Sequence, residues 1–311
     1  MATYTTLADL DLNSIARRYD LNVVEVHPLK GGAANSSFRL HTDDGRRYVL
    51  TALDNHNPAS AADLARTSRT LARLGLPTVH VVPTADGQDL IADAERCFLL
   101  KQWIEGEVCD PLPAEHLPAA GELLARLHSL PTNALDLPAG TRRLSGAHRA
   151  AITDFPDQDF ARWLNGHLAT IDRHEAEHRR APVVTHGDLF ADNLIVRPDG
   201  TLAIIDWETA SLDDPLLDLG MAAVGLARND EGTLNAERLA LLIDGYTRLR
   251  PLTAEDHAEL PTEIAHAAVI IAFHRYYRHS VRFPDPTRAT YHRLMIDFVD
   301  SVSDTWSESV S

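Results

Sequence analysis

The chain is predicted to be an α+β protein of two lobes, and three observations carry that prediction. Its 311 residues are long for a single core. Alternating apolar residues separated by tight turns fill residues 23 to 53, whereas helical periodicity dominates beyond Gly106. Strands first and helices later suggest an α+β arrangement with a cleft between lobes. A small antiparallel-sheet lobe is expected over residues 1–103 and a larger, mainly helical lobe over 104–311.

Composition narrows the class of protein. With 44% hydrophobic and 24% charged residues, and no apolar run approaching a membrane span, an ordinary soluble protein is expected. The opening "MATYTTLADLDLNSIARRYD" lacks a basic region followed by an apolar stretch, so no secretion signal is read there. Cys97 and Cys109 make no disulfide framework, and a reducing cytoplasm is the simplest location. A net charge of −16 argues against a nucleic-acid scaffold but leaves room for a nucleotide whose phosphates are neutralised by metal ions. The expected partner is therefore a small molecule, with no nucleic acid and no membrane. Lysine occurs only at Lys30 and Lys101; the other basic residues are arginines.

The elements follow in order. A helix, "LNSIARRYD", precedes "VVEVHPL", the glycine-rich "KGGAANSS", then "FRLHT" and "DDGRRYVLTAL", with Asp44-Gly45 marking a hairpin. In "SAADLARTSRTLARLG", Leu64, Leu71 and Leu74 fall at helical spacings and Gly75 ends the run. "HVVPTADGQDLIAD" and "RCFLLKQWIEG" read as two further strands. "LPAAGELLARLHSL" places Leu117, Ala120, Leu124 and Leu127 on one helix face. Residues 131–159 are rich in turn-formers and take no assignment. Helices resume at "FARWLNGHLATIDRHEAEHR" and, past one interruption, run nearly to the end.

That interruption carries the chemistry. "THGDLFADN", residues 185–193, is followed by "LIVRPDGTLAIIDWE", in which "PDG" is a turn between two β-like runs. Counting outward from the turn puts Asn193 and Asp206 at the same open end of a hairpin. Paired strands lie about 4.8 Å apart, so two oxygen-bearing side chains there can share one ion. Asp188, in the loop feeding the hairpin, adds a free carboxylate beside them. Such hard oxygen donors suit Mg²⁺.

"HGDLFADN" with "IIDWE" resembles the catalytic and metal-binding motifs of the aminoglycoside phosphotransferase and choline kinase superfamily. Together with "GGAANSSFRLHTDDGRRYVLTAL" it looks most like the type II homoserine kinases. The similarity runs from about residue 25 to about residue 225 in motif order. The resemblance implies a bilobal protein-kinase-like fold that uses ATP and Mg²⁺. It implies Asp188 as the catalytic aspartate, Asn193 and Asp206 as metal ligands, and backbone groups of Gln102, Trp103 and Ile104 as the adenine-gripping hinge. It also implies that Asp218, in "DDPLLDLG", braces the catalytic loop. The residue types agree with this chemistry: phosphoryl transfer needs positioning and charge neutralisation more than covalent work. Gly31 and Gly32 permit close approach, so backbone N–H groups across Ala33, Asn35 and Ser36 can meet phosphate oxygens.

The pattern breaks in one place. Kinases of this fold carry a lysine on the third strand, paired with a glutamate on the next helix. Here Thr51 occupies the lysine position, and residues 60–75 contain no glutamate, with Asp63 as their only acid. Lys30, Arg39 and Arg47 are the candidates for a substitute cation. The gap also supports a rival reading, a nucleotide-binding module without catalysis.

Only eleven residues separate Asp206 from Asp218, too few for a segment on which a protein substrate docks. A small hydroxylated acceptor is expected. In "EIAHAAVIIAFHRYYRHSVRF", Ala268, Ile271, Arg275, Arg278 and Arg282 follow at helical spacings, and their arginines suit a carboxylate held bidentately. Homoserine or a related hydroxy amino acid is the leading acceptor; an aminoglycoside, another antibiotic or an amino alcohol such as choline is the alternative. Trp207 and Glu208 are candidate acceptor contacts. The sixteen histidines show no metal-ligand spacing; His186 is expected to support the catalytic loop and His128 to be a partly buried helix residue.

Overall fold

Two-residue alternation along the early strands gives a sheet with two apolar faces, each of which needs a helix. The computed structural model describes residues 5–29, 35–92 and 96–309. The chain divides into two compact units. The first is Met1–Glu107 with Arg197–Asp199 and Ala203–Glu208; the second is Val108–Val196 with Gly200–Leu202 and Thr209–Ser311. The boundary after Glu107, rather than after residue 103, has a local cause. The Trp103 N–H donates to the Arg47 carbonyl and Arg47 pairs with Glu105, tying the end of the last strand back to the sheet.

In the first unit, helix α1 (Leu12–Arg18) is capped by Asp11, whose side chain accepts the Ser14 N–H. Strands β1 (Val23–Pro28), β2 (Ser36–Thr42) and β3 (Arg47–Ala52) lead to helix α2 (Pro58–Arg73), then β4 (Ile91–Ala92) and β5 (Cys97–Gln102). The strands form one antiparallel sheet in the order β1-β2-β3-β5-β4. Phe38, Leu40, Leu50, Phe98 and Leu100 face Ile15 and Tyr19 on one side. Cys97 and Leu99, with Leu53, face Ala61 and Ala65 of α2 on the other. Among the described residues of the expected strand "HVVPTADGQDLIAD", only Ile91–Ala92 and a bridge from Val81 to Lys101 form. Pro83 cannot donate to a ladder, and Gly87, at φ +82°, turns the chain.

The second unit opens with α3 (Leu117–His128), α4 (Gly146–Ala151) and α5 (Gln158–Glu177). Strand β6 (Val183–Thr185) pairs antiparallel with β9 (Ser211–Asp213); β7 (Leu194–Val196) lies in this unit, and β8 (Leu202–Ile204) starts here at Leu202 and continues into the first unit. Helices α6 (Pro215–Leu226), α7 (Ala236–Thr247), α8 (Ala254–Tyr276) and α9 (Arg293–Ser309) follow. Nearly every residue of α6 is buried, as a sequence that is apolar all round except for Asp218 requires. Side chains at Gly121 and Gly245 would overlap the Leu242 and Pro118 carbonyls, so α3 and α7 cross with backbones in contact. No helix among the described residues is long and apolar enough to cross a membrane.

The arginine face expected after Ile271 needs correcting. Helix α8 ends at Tyr276 and the chain continues as a π-turn over Tyr277–Arg282, with the Phe283 N–H reaching the Arg278 carbonyl five residues back. The wider turn takes Arg278 and Arg282 off the stripe that α-spacing gives them.

Candidate active site

Strand β6 delivers the loop His186-Gly187-Asp188, and a buried acid fixes it from below. Asp218, in the first turn of α6 and 2% exposed, accepts the His186 N–H at 2.8 Å and the Gly187 N–H at 2.7 Å. His128 Nε2 reaches the same carboxylate at 3.0 Å, and its Nδ1 meets the Tyr246 hydroxyl at 2.8 Å. His128 is thus fully buried and hydrogen-bonded at both ring nitrogens, beyond the partial burial expected. Burial alone would raise the Asp218 pKa; the hydrogen bonds it accepts from His128 and the His186 N–H help to outweigh it and hold it below the usual carboxylate value.

Gly187 stands at φ +76°, and a Cβ there would meet Arg142 Cγ at 2.8 Å and the Thr209 carbonyl at 3.1 Å. Only glycine satisfies both constraints. The Asp188 N–H donates to His186 Nδ1 at 3.2 Å, which places the ring proton on Nε2. The Asp188 carbonyl accepts the Phe190 N–H and the Asn193 side-chain amide, both at 2.8 Å. The Asp188 side chain is left 35% exposed, with Arg142 Nη2 at 3.3 Å from one carboxylate oxygen.

Arg142 comes from the turn-rich segment that gave no assignment. It has company: Arg275 is influenced by Arg228, Asp188 and Arg142 together. Buried nitrogens of all three arginines, Nε of Arg142, Nε of Arg228 and Nη1 of Arg275, lack hydrogen-bond partners among the described residues. Burial pulls the Arg275 guanidinium below its usual pKa, and the group lies over the Tyr291 ring at 4.1 Å. Arg142 and Arg228 had no distinguishing spacing; only tertiary proximity marks them.

In the first unit, residues 203–208 are strapped to residues 77–78. The Ile204 N–H donates to the Pro77 carbonyl at 2.9 Å, and Thr78 Oγ1 donates to the Ile204 carbonyl at 2.7 Å. Asp206 follows at φ +66°, a left-handed conformation seldom adopted without a constraint, and accepts the Glu208 N–H at 3.4 Å. Asn35 donates its side-chain amide to Glu208, and His56 Nε2 lies 3.7 Å from the same carboxylate. Trp207 is corrected: it is 3% exposed and its indole N–H donates to Thr78 Oγ1 at 2.8 Å, so it packs rather than faces an acceptor. Ser36 Oγ donates to Asp54 at 2.7 Å, and Thr51 is buried with its hydroxyl 3.2 Å from Ser37 Oγ. Lys30, Gly31, Gly32 and Ala33 lie outside the described residues.

Gln102, Trp103, Ile104 and Glu105, with Thr78 and His80, line a cleft of about 390 Å³ in the first unit. That volume lies in the range of small-molecule sites. The Gln102 and Trp103 N–H groups already donate to the His80 and Arg47 carbonyls, at 2.9 and 3.2 Å.

A pH effect arises beside Arg142. The Arg142 carbonyl lies 3.3 Å from His274 Nε2, and burial, with the Arg142 charge, pushes the His274 pKa down to about 4. The fold holds this ring neutral, whereas the unfolded chain takes up its proton near pH 6.5. Acidification from about pH 6.5 to about pH 4 should therefore remove up to about 3 kcal/mol of stability. Urea unfolding at both pH values, with wild type and His274→Gln, measures it; equal acid losses in the two proteins would reject the assignment.

Proteins that resemble this chain along most of its length include a homoserine kinase and two further kinases of small molecules. Homoserine kinase of Methylobacillus flagellatus is 30% identical over 276 residues, covering 86% of this chain and 85% of its own. The amicoumacin kinase hAmiN, in complex with AMP-PNP, Ca²⁺ and Ami, superposes with a TM-score of 0.71 at 14% identity, covering 94% of both chains. Choline kinase LicA from Streptococcus pneumoniae gives 0.63 at 15% identity, covering 95% of this chain and 97% of its own. The fold is protein-kinase-like, and the protein is a small-molecule kinase. It belongs to the phosphotransferase enzyme family, whose model matches residues 25–252.

Proposed function

We propose that the protein transfers the γ-phosphoryl group of ATP, with Mg²⁺, to the hydroxyl of homoserine or a closely related hydroxy amino acid. The observation that carries the acceptor class is the trio Arg142, Arg228 and Arg275: Arg142 pairs with Asp188, Arg275 feels the charges of Asp188 and of both other arginines, and each arginine has a buried N–H without a partner among the described residues. Like charges crowded beside a single carboxylate are unfavourable until another anion joins them. An acceptor carboxylate meets that need; a polycationic antibiotic would worsen it. The relatives named homoserine kinase support the same choice.

Asp188 would orient the hydroxyl and take its proton as the oxygen bonds to phosphorus and the bond to the departing ADP breaks. Arg142 fixes the direction of that carboxylate. Asn193 and Asp206 fit a magnesium ion by donor type. The Asn193 amide nitrogen is engaged by the Asp188 carbonyl, which leaves its oxygen as the ligand, and Asp206 offers carboxylate oxygens. When bound, the ion neutralises phosphate charge. Of the three hinge residues, Ile104 is assigned the backbone donor for adenine, because the other two donors are engaged.

Coupled ADP release on homoserine, hydroxylysine, choline, ethanolamine and aminoglycosides tests the acceptor. A homoserine rate no better than buffer rejects it. Arg275→Met should raise the homoserine KM roughly 10- to 100-fold, the worth of a charged hydrogen bond, and leave the KM for MgATP unchanged. A rise in the nucleotide KM alone would assign the arginines to phosphate instead.

A further inference from the structure

We propose that Lys101, reaching from β5, supplies the cation for the nucleotide phosphates that Thr51 on β3 cannot, and that Glu208 takes the place of the missing helix glutamate beside it. The inference rests on the kinase reading above and deepens it.

Strand register sets the geometry. Lys101 pairs with Val49 and Leu99 pairs with Thr51, so Lys101 and Thr51 are diagonal neighbours on adjacent strands. Such positions lie about 7–8 Å apart, within the reach of a long side chain. Alternation puts both on the face that bears Cys97 and Leu99, the face packed against α2. An ammonium carried by Lys101 therefore covers the ground that a lysine at position 51 would cover.

Charge points the same way. Burial lowers the Lys101 pKa, and the groups that oppose this are Asp206 and Glu208, the two acids flanking Trp207. Glu208 is held by Asn35 and lies near His56, just ahead of α2. Helix α2 offers no partner of its own: Asp63 is exposed and pairs with Arg66 at 2.9 Å. The arginines expected as substitutes are engaged elsewhere. Arg39 and Arg47 lie near the Trp103 ring at 5.7 and 5.8 Å, and Arg47 also pairs with Glu105. Both members of the ion pair thus have counterparts in the same unit, displaced by one strand and onto one loop.

The test is nucleotide binding, which needs no acceptor. Lys101→Met should weaken Mg-AMP-PNP affinity, measured by titration calorimetry, roughly 10- to 100-fold. Its KM for MgATP should rise in step. Adding Thr51→Lys to that variant should recover at least about tenfold of the lost affinity, a rescue that a merely structural lysine would not give. Lys101→Gln provides the same comparison if the methionine variant unfolds. Affinity in the single variant within about twofold of wild type overturns the proposal, and so does a loss that Thr51→Lys leaves unrelieved. A wild-type chain that binds Mg-AMP-PNP yet phosphorylates no acceptor removes the kinase reading while the affinities still decide Lys101. A wild-type chain that binds no nucleotide overturns the Lys101 proposal directly.

Discussion

Asp188→Asn is expected to lower kcat by about 10²-fold or more while leaving Mg-AMP-PNP affinity within about twofold of wild type. The substitution keeps size and shape, and the loop does not depend on the carboxylate. The hydrogen bonds that set the loop use the Asp188 backbone: its N–H on His186 and its carbonyl with Phe190 and Asn193. What disappears is the carboxylate proposed to take the acceptor's proton, together with its ion pair to Arg142. Single-turnover kinetics with saturating nucleotide would separate this from a binding defect. Turnover within about threefold of wild type would remove Asp188 from proton transfer.

What could be read in advance follows a physical division. Asp188, Asn193 and Asp206 sit in a short stretch whose hydrophobic periods and turn residues are local signals, so spacing alone makes them candidates, whereas Asp218 is named only through the family resemblance. The sheet is legible for the same reason, because a period of two along β2, β3 and β5 fixes which residues face each helix. Arg142 and Arg228 are different. Neither lies in a periodic run, and they meet Arg275 only because the unit folds as it does. Trp207 shows the opposite case: adjacency to Asp206, a candidate metal ligand, suggests a ligand contact, whereas Thr78, distant in sequence, claims its indole N–H. Arg278 leaves the face that α-spacing predicts because the chain passes into a π-turn after Tyr276. The cation proposed at Lys101 has no local signal: the residue lies within an apolar strand pattern, and the register that sets it diagonal to Thr51 is not visible in one strand alone.

The largest stability effect is expected at Asp218. Asp218→Ala leaves three donors, the His186 and Gly187 N–H groups and His128 Nε2, without their acceptor in a fully buried site. Removing one member of such a buried charged network typically costs about 3–5 kcal/mol, a large share of a domain's stability. Activity should fall further than stability, since the same two N–H groups set the path of the loop that carries Asp188. Adding His128→Leu should restore only part of the loss: it removes the orphaned imidazole but leaves both backbone donors unsatisfied, and it strips the Tyr246 hydroxyl of its partner. Urea denaturation of the single and double variants measures the coupling. A cost below about 1 kcal/mol for Asp218→Ala would mean that water or a neighbouring group replaces the carboxylate, and the loop would then need another support.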